Sequence, residues 1–206
     1  MTANQGSMAF KGSLGAVKNP PIRKAPLGWR IRNAIRPAFW YGWADNQAAK
    51  IFTGLTGIPT LTAELSAILI KADGTKIDYG VLGYRVVTTA FVTFLVDQLQ
   101  TETSVFGDFK FHDSGVGTTA ENVTDTAMET TDGETRVTGS QTEASATVYR
   151  SVGTITYTTT KAITEHGLFN DVSAGTLMDR TVFSAINVVN TDSVQFTYSL
   201  TCSAGG

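Results

Sequence analysis

Composition and spacing predict a mainly β protein, an antiparallel β-sandwich or jelly roll with an extended N-terminal arm. Threonine is abundant, with 32 residues of which 26 lie from Thr88 onward, and its β-branched side chain favours a pleated sheet. Strand-like runs alternate with polar turns at intervals of about 8–12 residues, as in sandwiches. Charged residues make up only 17% of the chain, which argues against a coiled coil or a highly charged disordered chain.

Charge divides the chain into two regions. Residues 1–50 contain eight Lys or Arg and one acid, a net charge of +7, whereas residues 51–206 contain eight bases and 17 acids, a net charge of −9. All five prolines lie within the first 59 residues. We therefore predict a basic arm over residues 1–50, in which the prolines block regular helix and favour extended backbone, and a β-sandwich body over residues 51–206.

The first part of the body shows a hairpin signal and a helix signal. Asp73-Gly74 lies between two strand-like runs, which predicts a hairpin with a type I′ turn. Phe91, Phe94, Leu95 and Leu99 recur at helical spacing, which predicts a helix over residues 90–100.

The polar segment 118–131 is predicted to hold one helical turn, with Thr124 as its cap. Further along the chain, five strands are predicted over residues 136–141, 146–160, 162–169, 177–189 and 193–202. Val152 is out of step with Ile155 and Tyr157, which predicts a β-bulge at Gly153. In the last strand apolar and polar residues alternate, so that one face is buried, with Val194, Phe196, Tyr198 and Leu200 on it.

The sequence lacks the usual signals of catalysis, cofactors and membranes. It has no nucleophile-elbow, phosphate-loop or zinc motif, and its one cysteine, Cys202, excludes an intramolecular disulfide. Glu165 and His166 are neighbours on a predicted strand and should point to opposite faces, which disfavours shared catalysis. We therefore expect a protein that is not an enzyme and needs no cofactor. No apolar run reaches the roughly 18 residues of a membrane span and no signal peptide is visible.

Two sets of charged residues leave alternatives open. Arg180 lies within a predicted strand, and we expect it either to pair with Glu165 on the neighbouring strand or to lie exposed on the outer face. Asp171, Asp179 and Asp192 could surround a cation only if the fold brings them together, and their wide spacing favours solvated turns instead.

The arm combines basic and aromatic residues, a mixture typical of interfaces. The expected partner-binding residues are Lys18, Arg23, Lys24, Trp29, Arg30, Arg32, Arg36, Phe39 and Trp40. Trp29 is expected to stay exposed until assembly, whereas Trp40 and Trp43 are expected to pack at least partly on the body. The alternative is that the aromatic run starting at Phe39 begins the core of this chain.

Distinctive strings in the second half are FHDSGVGTTAE (111–121), TDTA (124–127), AITEHGLF (162–169), GTLMDRTVF (175–183) and the SAGG ending. Over about residues 81–206 they resemble a group of small β-rich virion proteins of tailed phages. The resemblance implies a non-enzymatic particle protein, a capsid decoration, cement or minor capsid subunit, which is made in the host cytoplasm and resides in the virion. Its implied partners are the major capsid protein and neighbouring copies of itself.

Two other functions remain open at this point. The same fold could form a ring in a tail or head–tail connector. The arginine- and tryptophan-rich arm could also stack and neutralise single-stranded nucleic acid. The charge of −9 on the body makes nucleic acid the less favoured partner.

Overall fold

The structure is a computed structural model that describes residues 21–36, 43–44, 47–48, 60–84, 86–98 and 109–203. Its helices and strands, in chain order, are β1 (Arg23–Lys24), α1 (Leu27–Ala34), β2 (Thr60–Ile70), β3 (Lys76–Tyr84), β4 (Val86–Val87), α2 (Thr89–Gln98), β5 (Phe111–Gly115), β6 (Val137–Thr138), β7 (Ser140–Ser145), β8 (Val148–Thr156), β9 (Lys161–Phe169), β10 (Leu177–Val188) and β11 (Ser193–Ser203). No helix among the described residues has the length and apolar character needed to cross a membrane.

The strands form two sheets. Sheet A has the order β1-β3-β2-β11-β8-β7, and sheet B has the order β4-β10-β9-β5-β6. Neighbouring strands are antiparallel throughout except for β1, which runs parallel to β3. The predicted antiparallel β-sandwich is therefore confirmed.

The core lies between the two sheets. Leu65 and Phe196 of sheet A and Ile163 and Phe183 of sheet B belong to one buried apolar cluster. The ring centroids of Phe183 and Phe196 are 6.2 Å apart. In β11 the predicted alternation is confirmed, since its apolar residues are at most 5% exposed and the polar residues between them are half-buried. Burial of these alternating faces is the main favourable contribution to folding.

The helix and the hairpin predicted for the first part of the body are both present, although their details differ. Helix α2 starts at Thr89, one residue before the predicted 90–100 segment, and ends at Gln98. Residues 99–100 lie outside the described residues. The hairpin between β2 and β3 is also present. Its turn is not type I′, because only Gly74 has a positive φ, of 82°. The Asp73 carboxylate instead accepts a hydrogen bond from the Thr75 amide at 2.8 Å and stabilises the turn locally.

Two predicted elements are wrong in detail. The strand predicted over residues 136–141 is divided at Gly139 into β6, which belongs to sheet B, and β7, which belongs to sheet A. Residues 118–131 form turns and no helix. There the Asn122 side chain accepts hydrogen bonds from the Thr124 amide and hydroxyl, so Asn122 organises the turn that Thr124 was predicted to cap.

The predicted bulge at Gly153 is also absent, because β8 pairs with β11 in an unbroken register from Val148 to Thr156. Val152 is out of step because it points away from the core, while Gly153 points inward. A Cβ atom on Gly153 would lie 2.5 Å from Cδ2 of His112, and one on Gly139 would lie 2.6 Å from its Nε2. Both positions are glycine because the imidazole ring of His112 occupies the side-chain space between the sheets.

Candidate partner-binding surface

Helix α1 lies between two prolines of the basic N-terminal region. Pro26 is its N-cap residue, with φ of −51°, and its carbonyl accepts hydrogen bonds from the amides of Trp29 and Arg30. Proline is tolerated at the start of a helix because the first amides have no partner within the helix. The expectation of extended backbone over the whole arm is therefore wrong for residues 27–34, because Pro26 begins the helix and Pro37 follows it.

Trp29 fixes α1 to the body. Its side chain is only 5% exposed, and the indole N–H lies 2.9 Å from the carbonyl oxygen of Ser184 and 3.0 Å from that of Ala185. Its ring meets Tyr79 edge-on, with centroids 4.6 Å apart. The expectation that Trp29 stays exposed until assembly is therefore wrong, because burying its indole on the body stabilises the folded chain.

Asn33, one turn later, completes this attachment. Its side-chain amide donates a hydrogen bond to the Leu82 carbonyl at 2.9 Å, and its side-chain oxygen accepts one from the Ser184 amide at 3.2 Å. Leu82 belongs to sheet A and Ser184 to sheet B, so α1 ties the two sheets together. The sequence did not single out Asn33, because its partners lie 49 and 151 residues away.

The opposite face of α1 is apolar and exposed. At about 100° per residue, Leu27, Ile31 and Ile35 lie on the side away from Trp29 and Asn33. They are 67%, 51% and 71% exposed, respectively. We call these three residues the α1 stripe.

Two arginines border the α1 stripe. On the same helical geometry Arg30 flanks it on one side and Arg32 on the other, and both are exposed. The sequence contained the signal for the stripe, since its residues recur at i, i+4 and i+8. It was missed because the flanking prolines were taken to exclude a helix.

The other predicted partner-binding residues divide into three groups. Arg23 is exposed on β1. Lys24 forms an ion pair with Asp78 and thereby holds the pKa of that carboxyl below its usual value, and the Arg36 guanidinium donates to the Val182 carbonyl. Lys24 and Arg36 thus bind this chain's own body. Lys18, Phe39 and Trp40 lie outside the described residues.

Of the two alternatives for Arg180, the pair with Glu165 is the one that the structure contains, and neither residue is exposed. Arg180 Nε lies 2.7 Å from Glu165 Oε2, and the two side chains are 4% and 0% exposed. The guanidinium also binds Asp125 at 3.0 Å and Glu129 at 3.3 Å, both in the loop over the outer face of sheet B. Arg180 and its carboxylate partners therefore hold that loop on the sheet.

His166 points to the opposite face from Glu165, as expected, and the structure shows that this face lies in the core. Its Nε2 lies 2.9 Å from Nδ1 of His112, whose Nε2 lies 2.8 Å from the Ser151 hydroxyl. A Ser–His–His chain of this kind has the hydrogen-bonding pattern of an activated nucleophile. All three residues are 0% exposed, however, so a substrate cannot reach the hydroxyl. Burial also lowers the pKa of His112 to about 3 and keeps that ring neutral.

The three aspartates considered as cation ligands serve separate contacts. Asp171 accepts hydrogen bonds from two amides of its own turn. Asp179 lies on β10 and accepts from the Thr181 hydroxyl, while Asp192 pairs with Lys71 at 2.5 Å. Across the described ranges no three His, Cys, Asp or Glu side chains group as metal ligands. The expectation of solvated turns holds only for Asp171, since Asp179 and Asp192 are buried.

Comparison of the chain with family models, with curated proteins and with solved structures finds no match in any of the three.

Proposed function

We propose that this chain is a non-enzymatic structural subunit of a tailed-phage particle, of the capsid decoration or cement type, and that it attaches to its neighbours through its N-terminal region. The resemblance of residues 81–206 to phage virion proteins supports the class of protein. The observation that carries the mode of attachment is the α1 stripe, with an arginine on each side.

The geometry favours assembly because α1 is rigidly held and yet presents apolar side chains to water. Trp29 and Asn33 fix the helix on the body, so its outer face is pre-organised for a partner, which reduces the entropy lost on binding. Exposed contiguous apolar surface bordered by polar groups is characteristic of protein interfaces. Arg30 and Arg32 would steer the subunit towards an acidic partner surface and strengthen the contact electrostatically.

The buried charged groups support a structural role. Arg180 and its carboxylates fasten a loop, and the histidine pair is enclosed in the core. These groups hold the fold together, and in the open depression that Arg180 lines, its guanidinium is already bound to Asp125 and Glu129.

The test is attachment of purified protein to shells that lack it, measured by co-sedimentation. Point substitutions are preferable to arm deletion, because residues 23–36 contact the body. Replacing Ile31 and Ile35 by Glu should abolish attachment while leaving the fold intact, because both side chains are exposed. The matched control replaces Val92 and Val96 by Glu, two exposed apolar residues one turn apart on α2, and should retain attachment. Unchanged attachment of the α1 variant would exclude the proposed surface.

Copy number in the purified particle separates the decoration role from a connector or tail role. Many copies distributed over the shell are expected for a decoration or cement subunit. A number equal to one ring of subunits would instead assign the chain to a connector or tail.

A further inference from the structure

A second apolar surface, which is concave, lies at one end of the sandwich, between residues of both sheets and of α2. A cavity of about 260 Å³ opens there. Its lining is almost entirely apolar or aromatic and includes Leu61, Phe91, Phe109, Tyr149, Leu200 and Cys202. It adjoins a shallower depression along the β7–β8 hairpin, which shares Tyr149 and Cys202 and includes Glu143. We call the two depressions together the end groove.

We propose that the end groove receives the α1 stripe of a second copy of this chain. This inference rests on the proposed function in treating α1 as an assembly surface, and it names the partner. Among the described residues the two surfaces complement each other: one is a convex apolar ridge and the other a concave apolar groove.

The charges of the two surfaces are also complementary. Arg30 and Arg32 flank the α1 stripe, whereas Glu143 is the one charged residue among those described that line the end groove. The wider charge distribution agrees, with +7 on residues 1–50 and −9 on residues 51–206. The charges argue against the simpler alternative of two α1 stripes packed on each other, because that arrangement would bring four guanidinium groups together.

The positions of the two surfaces require different copies to supply them. The end groove includes Met178 near the start of β10, whereas Trp29 of α1 is bonded to Ser184 and Ala185 further along that strand. At about 3.3 Å per residue, these contacts are about 20 Å apart. A helix fixed by Trp29 therefore cannot turn its outer face into its own groove.

A contact between two different surfaces leaves one of each unpaired in every pair of subunits. Such heterologous contacts continue into rings or extended arrays, which suits a subunit that covers a shell. One helix face buries less area than the roughly 1,200 Å² of a stable interface, so free subunits should associate weakly. On a particle the contact would be reinforced because many copies are held at high local concentration.

The single thiol of the chain, Cys202, makes the contact directly testable, because it is exposed and lies in the end groove. One full-length protein carries Ile31→Cys with Cys202→Ser, so its only thiol lies on the α1 stripe. The other is the unmodified chain with a larger affinity tag, whose only thiol is Cys202. The two are mixed, oxidised mildly and separated by electrophoresis without reductant.

The expected result is a mixed disulfide dimer that exceeds both homodimers several-fold. A matched control carries Arg32→Cys with Cys202→Ser, which moves the thiol by about 100° around the helix, and should give several-fold less mixed dimer. Glu143→Lys in the tagged protein should also reduce the yield, because it places a positive charge next to the incoming arginines.

Other outcomes would overturn the inference. A predominance of dimers joined at position 31 of both copies would show that the α1 stripes pair with each other. Absence of any cross-link at about 1 mM of each protein, where a complex with a Kd of about 1 mM is formed to about 40%, would show that the groove does not bind α1.

Shell co-sedimentation separates this inference from the proposed function. If the cross-link fails but Ile31→Glu still weakens attachment to shells, α1 is an attachment surface for the shell alone. If the mixed dimer forms but the protein does not attach to shells, the contact between copies is supported and the decoration role is excluded.

Discussion

Arg180 Nε donates a hydrogen bond to Glu165 Oε2 at 2.7 Å, across two adjacent strands of sheet B. The other oxygen of Glu165 accepts hydrogen bonds from the amides of Gly117 and Thr130 at 3.1 and 2.8 Å. The pair thus fastens both ends of the loop over residues 116–130 to the outer face of the sheet. Because Glu165 is fully buried, its charge must be balanced by Arg180.

Replacing Arg180 by Met should therefore destabilise the protein by about 3–5 kcal/mol, since it leaves a buried carboxylate without its cation. Urea unfolding would measure this difference. Arg150→Met is the matched control, because Arg150 is exposed on β8, and it should change stability by less than about 0.5 kcal/mol. Similar effects of the two substitutions would show that the buried pair adds nothing to stability.

Trp29 should behave as a buried tryptophan in the free monomer. A variant with Trp40→Phe and Trp43→Phe emits from Trp29 alone, since the chain has three tryptophans. Its emission should be blue-shifted and poorly quenched by iodide, and should shift red on unfolding. Emission typical of exposed tryptophan in a verified monomer would contradict the attachment of α1 to the body.

The buried histidine pair should make the protein acid-sensitive in a defined range. Burial lowers the pKa of His112 to about 3, against about 6.5 in an unfolded chain. Between these values the unfolded state binds more protons than the folded state, so stability falls as pH decreases below about 6.5. The expected loss is about 2–3 kcal/mol between pH 6.5 and 4.5, since one pKa unit corresponds to 1.36 kcal/mol.

This range separates the histidine from the carboxyl groups whose pKa is lowered. Burial raises the pKa of Asp113, which therefore acts in the opposite direction and adds stability as the pH falls. Asp78, Asp192 and Glu134 have pKa values below their ordinary values of 3.8 to 4.5, so their contribution to stability is lost at lower pH. Urea unfolding at several pH values between 4.5 and 7.5 tests the prediction, and a His112→Gln variant should show a flatter dependence. Constant stability of the unmodified protein over that range would rule out a role for the pair.

Gly153 should tolerate no side chain, because a Cβ atom would lie within 2.5 Å of the His112 ring. Gly153→Ala should cost about 1–3 kcal/mol, as other overpacked core positions do. The neighbouring Thr154→Ala is the control, since Thr154 is exposed and its loss should have little effect. If the two variants unfold at the same denaturant concentration, the room between Gly153 and the His112 ring is sufficient for a methyl group, and the prediction is wrong.

Much of the body follows from local pattern. The alternation in β11 and the helical spacing that begins at Phe91 correctly predicted their elements, because burial of one face determines each pattern. The pairing of Arg180 with Glu165 was one of two alternatives from the sequence, and the fold decided between them by burying both side chains. The strand break at Gly139 and the straight strand at Gly153 were not predicted, and both glycines lie against the ring of His112, which is distant in sequence.

The sequence by itself determined the mainly β class, the division of charge at about residue 50 and most strand positions, because composition and periodicity are local properties. Only the tertiary structure decided that Trp29 is buried while Leu27, Ile31 and Ile35 are exposed. The sequence shows that α1 has two faces, but it cannot show which face meets the body. That choice depends on the carbonyl groups of Ser184 and Ala185 and the ring of Tyr79, which the fold brings together from distant parts of the chain.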